Sequence, residues 1–173
     1  AGVDIIQFDE PAFNVFFDDV NEWGIACLER AIEGLKCETA VHICYGYGIK
    51  ANTDWKQTLG TEWRQYEEVF PKLQQSNIDI ISLECHNSRV PIELLELIRG
   101  KKVMVGAIDV ATNEIETPEE VANTLREALK YVDADKLYPC TNCGMAPLSR
   151  EVSTAKLNAL SAGAEIIRKE LVG

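Results

Sequence analysis

The sequence predicts an α/β protein assembled from parallel βα units. Three observations carry this: short apolar runs of strand length recur along the chain, longer segments of helical period separate them, and each run turns polar at or just after its C-terminal end. The first run, VDIIQFD (3–9), closes on Asp9 and Glu10. The second, TAVHICY (39–45), carries His42, one of only two histidines, and Cys44. The third, IDIISLE (78–84), ends on Glu84, and the fourth, KVMVGAID (102–109), ends on Asp109. The fifth, LYPCTN (137–142), leads into Cys143. Polar residues gathered at strand C-termini are the pattern of a site at the carboxyl edge of a parallel sheet.

Helices are expected between the runs. The clearest is TPEEVANTLREALKYV (117–132), where Thr117 caps, Pro118 suits the first helical position and Glu120 completes a capping box. Its Val121, Leu125, Leu129 and Val132 share one face. The last segment, 149–171, repeats the pattern with a stripe of Leu157, Leu160, Ala164, Ile167 and Leu171. GYGIKANTDWKQTLG (46–60) is too polar and glycine-rich for a core element, so it is expected as a long irregular loop of the kind that carries function. Its Trp55, with Trp63 just beyond, is a candidate lid over the site.

Length and composition bound the rest. A chain of 173 residues, 46% hydrophobic and 26% charged, fits one folding unit without a low-complexity tract. A net charge of −11 argues against nucleic acid, which needs clustered Lys and Arg. No apolar run approaches the roughly 20 residues that span a bilayer, and the opening AGVDIIQFDEP has neither a basic n-region nor a cleavage site, so a cytoplasmic protein is expected. Six cysteines in a chain of this size and apolar content are expected as free thiols, available as ligands, nucleophiles or small buried hydrophobes.

Five βα units fit either a doubly wound sheet of the flavodoxin type or part of an eight-stranded barrel, and periodicity alone leaves both open. The strand-like start without an initiator methionine raises the expectation that further barrel strands are missing from this piece. No G-x-G-x-x-G or P-loop follows any run, which disfavours a nucleotide-binding domain.

Strand side chains alternate, so His42 and Cys44 project to one side while Val41 and Ile43 project to the other. Zinc takes four ligands from thiolate, imidazole and carboxylate, and the neighbouring strand ends offer Glu84 and Cys143 as the other two. On residue type alone a hydrogen-bonded core histidine beside a buried cysteine competes with this reading. His86 is a second-ranked alternative ligand. Cys140-Thr141-Asn142-Cys143 has the spacing of a redox motif, but Cys140 is better read as a strand residue and Cys143 as the ligand.

With FDEPA (8–12), HIC (42–44), LE (83–84), ID (108–109) and NCG (142–144) in this order, the chain resembles the C-terminal catalytic domain of the cobalamin-independent methionine synthase family, and its short single-barrel members in particular. The resemblance runs over nearly the whole chain. It implies a TIM-type (β/α) barrel of which this chain covers about the last five βα units. It also implies a zinc methyltransferase that makes methionine from homocysteine and a methyl donor, methyltetrahydrofolate or another. Carried over, His42, Cys44, Glu84 and Cys143 match the zinc ligands, with Glu84 the one expected to yield to substrate sulfur. Asp9 matches the carboxylate that holds the substrate amino group, and Asp109 a catalytic carboxylate. Where the family carries D-I-H, this chain has Asp109-Val110-Ala111, so the imidazole that assists a departing folate nitrogen is replaced by a methyl group.

Overall fold

The computed structural model describes residues 2–47 and 50–173. Each of the five apolar runs forms a strand: β1 Ile5–Glu10, β2 Glu38–Ile43, β3 Ile80–Glu84, β4 Lys102–Ile108 and β5 Leu137–Thr141. They make one sheet, parallel throughout, in the order β1-β2-β3-β4-β5. That order separates the two architectures. A flavodoxin-type sheet runs 2-1-3-4-5, whereas a barrel lays each strand beside its predecessor. The sheet is a five-stranded sector of a (β/α) barrel.

Between β1 and β2 lie α1 (Phe17–Asp19) and α2 (Ile25–Ile32), joined by a π-turn at Val20–Gly24. Between β2 and β3 lie α3 (Lys50–Thr58) and α4 (Tyr66–Gln75). A 3-10 stretch, Ile92–Ile98, stands before β4; α5 (Pro118–Ala128) follows β4 and α6 (Arg150–Val172) follows β5. Among the described residues no helix is long and apolar enough to cross a membrane.

Alternation along the strands sorts side chains into two layers. Val41, Ile43, Ile81, Leu83, Val103 and Val105 face the helices and form the core with Phe70, Leu73, Leu95 and Leu125. The opposite face carries the polar residues. Asp9 is paired in register with His42, Ser82 with Met104 and Met104 with Tyr138, so these residues form a tier on that face; Glu84, Gly106 and Cys140 form the next.

The cap of α5 is as the sequence predicts: Thr117 Oγ1 accepts from the Glu120 amide, and the Glu120 carboxylate accepts from the Thr117 amide at 2.7 Å. The stripe expected on α6 is met in part: Ala164 and Ile167 are buried and Leu160 packs against the core. Leu157 and Leu171 are 47% and 54% exposed, and the buried residues are Lys156, Ala159, Gly163, Ala164 and Ile167. Helix α5 lies close: a Cβ on Gly163 would stand 2.5 Å from the Val121 side chain and 2.7 Å from the Pro118 carbonyl. Only a residue without a side chain fits at that contact.

The 46–60 segment also departs from expectation. Most of it is helical, as α3, although Gly48 and Ile49 lie outside the described residues. Its anchor is aromatic: Trp55 stacks on buried Tyr45 with centroids 5.9 Å apart, and Trp63 stacks on the same ring at 5.1 Å. A tertiary contact of this kind holds a polar nine-residue helix that has little helical stability of its own.

Candidate metal centre

At the carboxyl edge of the sheet, one ligand atom each from His42, Cys44 and Cys143 lie within 4.8 Å of one another. β2 supplies His42 directly. Cys44 sits one residue beyond the strand, where its amide still donates to the Glu10 carbonyl and keeps it in line with β1. Cys143 comes from the turn after β5, where Thr141 Oγ1 donates to its carbonyl at 2.7 Å. Residues 99 apart in sequence are thereby brought to an Sγ···Sγ distance of 3.1 Å, with both thiols free.

The chemistry of these atoms suits a cation. His42 Nδ1 is 2.7 Å from Ser82 Oγ, its neighbour on the same tier, while Nε2 is buried with no hydrogen-bond partner. A buried, unpartnered polar atom is costly unless something binds it. Fixing one ring nitrogen and leaving the other free is how a metal-ligating histidine is oriented. Two sulfurs on a tetrahedral zinc, each about 2.3 Å from the ion, stand roughly 3.8 Å apart, so the thiol pair need open by only about 0.7 Å. The donor set fits zinc.

Electrostatics point the same way. The bond to Cys143, with burial second, pushes the Cys44 thiol up to about 12, while the same bond lowers the pKa of Cys143. The Gly46 amide also donates to Cys44 Sγ at 3.0 Å. Burial opposes protonation of His42, yet Cys44, Glu84 and Asp9 together leave its pKa raised.

Glu84 lies beside the trio but outside the mutual 4.8 Å grouping. Its carboxylate, fully buried, accepts from the Tyr47 hydroxyl at 2.6 Å and from the Tyr45 amide at 3.1 Å. Burial pushes its pKa up to about 7 despite those two bonds. Burial also holds Tyr47 well above the ordinary phenol range, so it stays a donor.

A cavity of about 570 Å³ opens over these groups, lined by Asp9, Glu10, His42, Cys44, Tyr47 and Cys143 among others. Asp9 is exposed at its mouth and accepts from the Gln7 side-chain amide at 2.7 Å. Cys140 is a β5 residue in the wall, as expected. Asp109 is half-buried just past β4, its carboxylate accepting from the Ala111 amide and its own amide donating to Glu116. It does not line this cavity. His86 is absent from the cluster; its Nδ1 stands 3.4 Å from Thr124 Oγ1 on α5.

Sequence reasoning missed Ser82, Tyr47 and Lys56. A serine within IISLE was the only hint of the first, since its use depends on strand register. Lys56 Nζ donates to the Gly46 carbonyl at 2.6 Å and sits 4.1 Å from the Tyr47 ring centroid. Burial lowers its pKa against the opposing pull of Glu84, Cys44, Cys143 and Asp109.

Residues 1–165 match the family model described as cobalamin-independent synthase, catalytic domain. A methionine synthase of Saccharolobus islandicus (strain Y.G.57.14 / Yellowstone #1) is 34% identical over 174 residues, covering 99% of this chain and 46% of the relative. A solved B12-independent methionine synthase from Shewanella sp. W3-18-1, in complex with selenomethionine, is 88% identical with a TM-score of 0.95, over 99% of this chain and 50% of that one. A methyltransferase from Methanosarcina mazei shares the fold alone, at 18% identity and a TM-score of 0.57, over 92% of this chain and 42% of that one. The chain spans about half the length of the curated relatives it matches.

Proposed function

Because the chain belongs to the cobalamin-independent synthase catalytic-domain family, we propose that it forms the zinc-holding part of a cytoplasmic methyltransferase that moves a methyl group onto the thiol of homocysteine to give methionine. The observation that carries this is the convergence of His42, Cys44 and Cys143 around a buried, unpartnered imidazole nitrogen. In this reading His42, Cys44 and Cys143 hold zinc and Glu84 completes the set, its carboxylate steadied by Tyr47 and the Tyr45 amide. Bound zinc supplies the positive charge that turns a neutral thiol, of pKa about 8.5, into a nucleophilic thiolate near pH 7.

The chain's own residues bind and orient around that chemistry. Asp9, at the cavity mouth, pairs with the substrate ammonium; Asp109, steadied by the Ala111 amide, acts near the donor. Ala111 offers no proton, which favours a methyl donor whose leaving group needs less acid assistance than a folate amine. The Shewanella relative was solved with selenomethionine, an amino acid bearing a methyl group on selenium, which supports a product of the methionine class. A single domain, 1–173, forming the C-terminal part of such a barrel is part of the reading. So are further barrel strands seated on the edge strands β1 and β5, since the relatives are about twice as long.

The test is methyl transfer to homocysteine before and after removal of metal with a chelator. Activity should vanish and return with added zinc; activity that survives complete metal removal defeats the reading. Asp9→Asn is expected to raise the homocysteine KM by about 10- to 100-fold, the worth of a charge-assisted hydrogen bond. Bound zinc should be unchanged in that variant, as metal analysis would check. Zinc lost together with substrate affinity would assign Asp9 to the metal instead.

A further inference from the structure

Past the end of β2 the chain runs through Tyr45, Gly46 and Tyr47, and each of the three donates a hydrogen bond to a side chain of the metal centre. The Tyr45 amide donates to Glu84 Oε1 at 3.1 Å, the Gly46 amide to Cys44 Sγ at 3.0 Å and the Tyr47 hydroxyl to Glu84 Oε2 at 2.6 Å. Where Glu84 and Cys44 point therefore depends on where this tripeptide lies. Its own backbone does not fix it: residues 45–47 belong to no strand or helix, and Gly46 sits at a φ of +74° that only glycine adopts freely.

The other side of the tripeptide is gripped by α3, residue by residue. Trp55 stacks on the Tyr45 ring with centroids 5.9 Å apart. Asn52 lies so close over Gly46 that a Cβ there would stand 1.8 Å from its side-chain nitrogen. Lys56 is one turn beyond Asn52 on the same helix face. Its Nζ donates to the Gly46 carbonyl at 2.6 Å and lies 4.1 Å from the Tyr47 ring centroid. Lys50, the other lysine of the helix, pairs instead with Asp54 in solvent. A cation on the face of a phenol is attracted to the ring and draws density from it, which makes the hydroxyl a better donor. Here that hydroxyl is the one on Glu84.

We propose that Lys56 is a positioning residue of the metal centre: by bridging the Gly46 carbonyl and the Tyr47 ring it locks the 45–47 strap beneath α3 and so sets Glu84 and Cys44 for the ion they share with His42 and Cys143. A ligating carboxylate and thiolate are oriented by the donors around them, and the strap supplies three such donors at once. What the strap orients rests on the zinc reading; that Lys56 fixes the strap does not.

The test compares the intact protein with Lys56→Met, Lys56→Arg, Tyr47→Phe and, as the control on the same helix, Lys50→Met. In metal-free protein, hydrogen exchange at the Tyr45 and Gly46 amides should quicken by about tenfold or more in Lys56→Met. It should stay within about threefold of wild type in Lys50→Met and in Lys56→Arg, since arginine keeps the charge, the carbonyl donor and the contact with the ring. Zinc affinity, read by competition with a chromophoric chelator, should fall about tenfold in Lys56→Met and in Tyr47→Phe, the low end of what partners of metal ligands contribute. The double variant Lys56→Met/Tyr47→Phe should lose clearly less than the product of the two, because both changes act through one ring. Unchanged exchange in Lys56→Met, or quickening matched by Lys50→Met, overturns the strap. Quickened exchange with zinc affinity retained, or single losses that multiply in full, overturns the positioning role. Wild-type protein that takes up no zinc defeats the metal reading, and the exchange rates then decide the strap on their own.

Discussion

Cys143→Ala is expected to reduce bound zinc from stoichiometric to near zero and to abolish thiol methylation. The substitution removes more than one donor atom. Cys143 Sγ is also the hydrogen-bond partner of the half-buried Cys44 thiol at 3.1 Å, so that contact is lost with it, while His42 Nε2 remains a buried nitrogen without a hydrogen-bond partner. Ser82→Ala is the graded comparison. It removes only the group that orients the imidazole, and second-sphere partners of this kind are worth about 10- to 100-fold in metal affinity. Competition with a chromophoric chelator measures both. Full zinc retention by Cys143→Ala would exclude it as a ligand.

The same site fixes the direction of the pH dependence. Cys44, pushed up to about 12, keeps its proton throughout the physiological range when no metal is bound, so binding must expel it. Affinity should then fall about tenfold per pH unit even near pH 8, because each proton released contributes one decade per unit. His42 has a raised pKa, so as pH drops through that value a second proton must also leave and the slope steepens. The lowered pKa of Cys143 acts in the other sense and delays its own contribution to more acid solution. A zinc affinity flat between pH 8 and pH 6 would contradict this set of protonation states.

How far the sequence reveals this depends on the range of the interaction. The five strands were legible because an apolar run that ends in a polar residue is a local signal, and Asp9, His42, Glu84 and Asp109 marked the strand ends to within about two residues. Strand order was not, since several orders accommodate the same runs. Ser82 was hidden for the same reason: its contact with His42 exists only once β2 and β3 are in register. The helix in 46–60 escaped because its support, Trp55 against Tyr45, crosses between elements. Cys44 and Cys143 come together in the sequence only through the metal chemistry of neighbouring strand ends and the family resemblance carried by HIC and NCG; nothing local links residues that far apart.

Lys156 was the least legible residue of all, and replacing it should have the largest effect on stability. A lysine beside an apolar stripe is expected in solvent, yet its side chain is 0% exposed and Glu116's is 4% exposed. Nζ donates to both Glu116 carboxylate oxygens, at 2.9 and 3.0 Å, and to the Glu114 carbonyl. Lys156→Met leaves the Glu116 charge buried without its partner, which costs about 3 to 5 kcal/mol. In a domain of this size that lowers Tm by about 10 °C. The double variant Lys156→Met/Glu116→Gln should recover a large part of the loss, since the orphaned charge is gone, and a double-mutant cycle by denaturant unfolding isolates the coupling. A loss below about 1 kcal/mol in the single variant would show that the pair is not closed to water. The consequence reaches the site, because the Glu116 oxygen that takes Lys156 also accepts the Asp109 amide at 2.9 Å. A buried ion pair between α6 and the segment leading into α5 thus anchors the exit of β4, where Asp109 and Ala111 stand, and its loss should loosen that turn before the rest of the sheet.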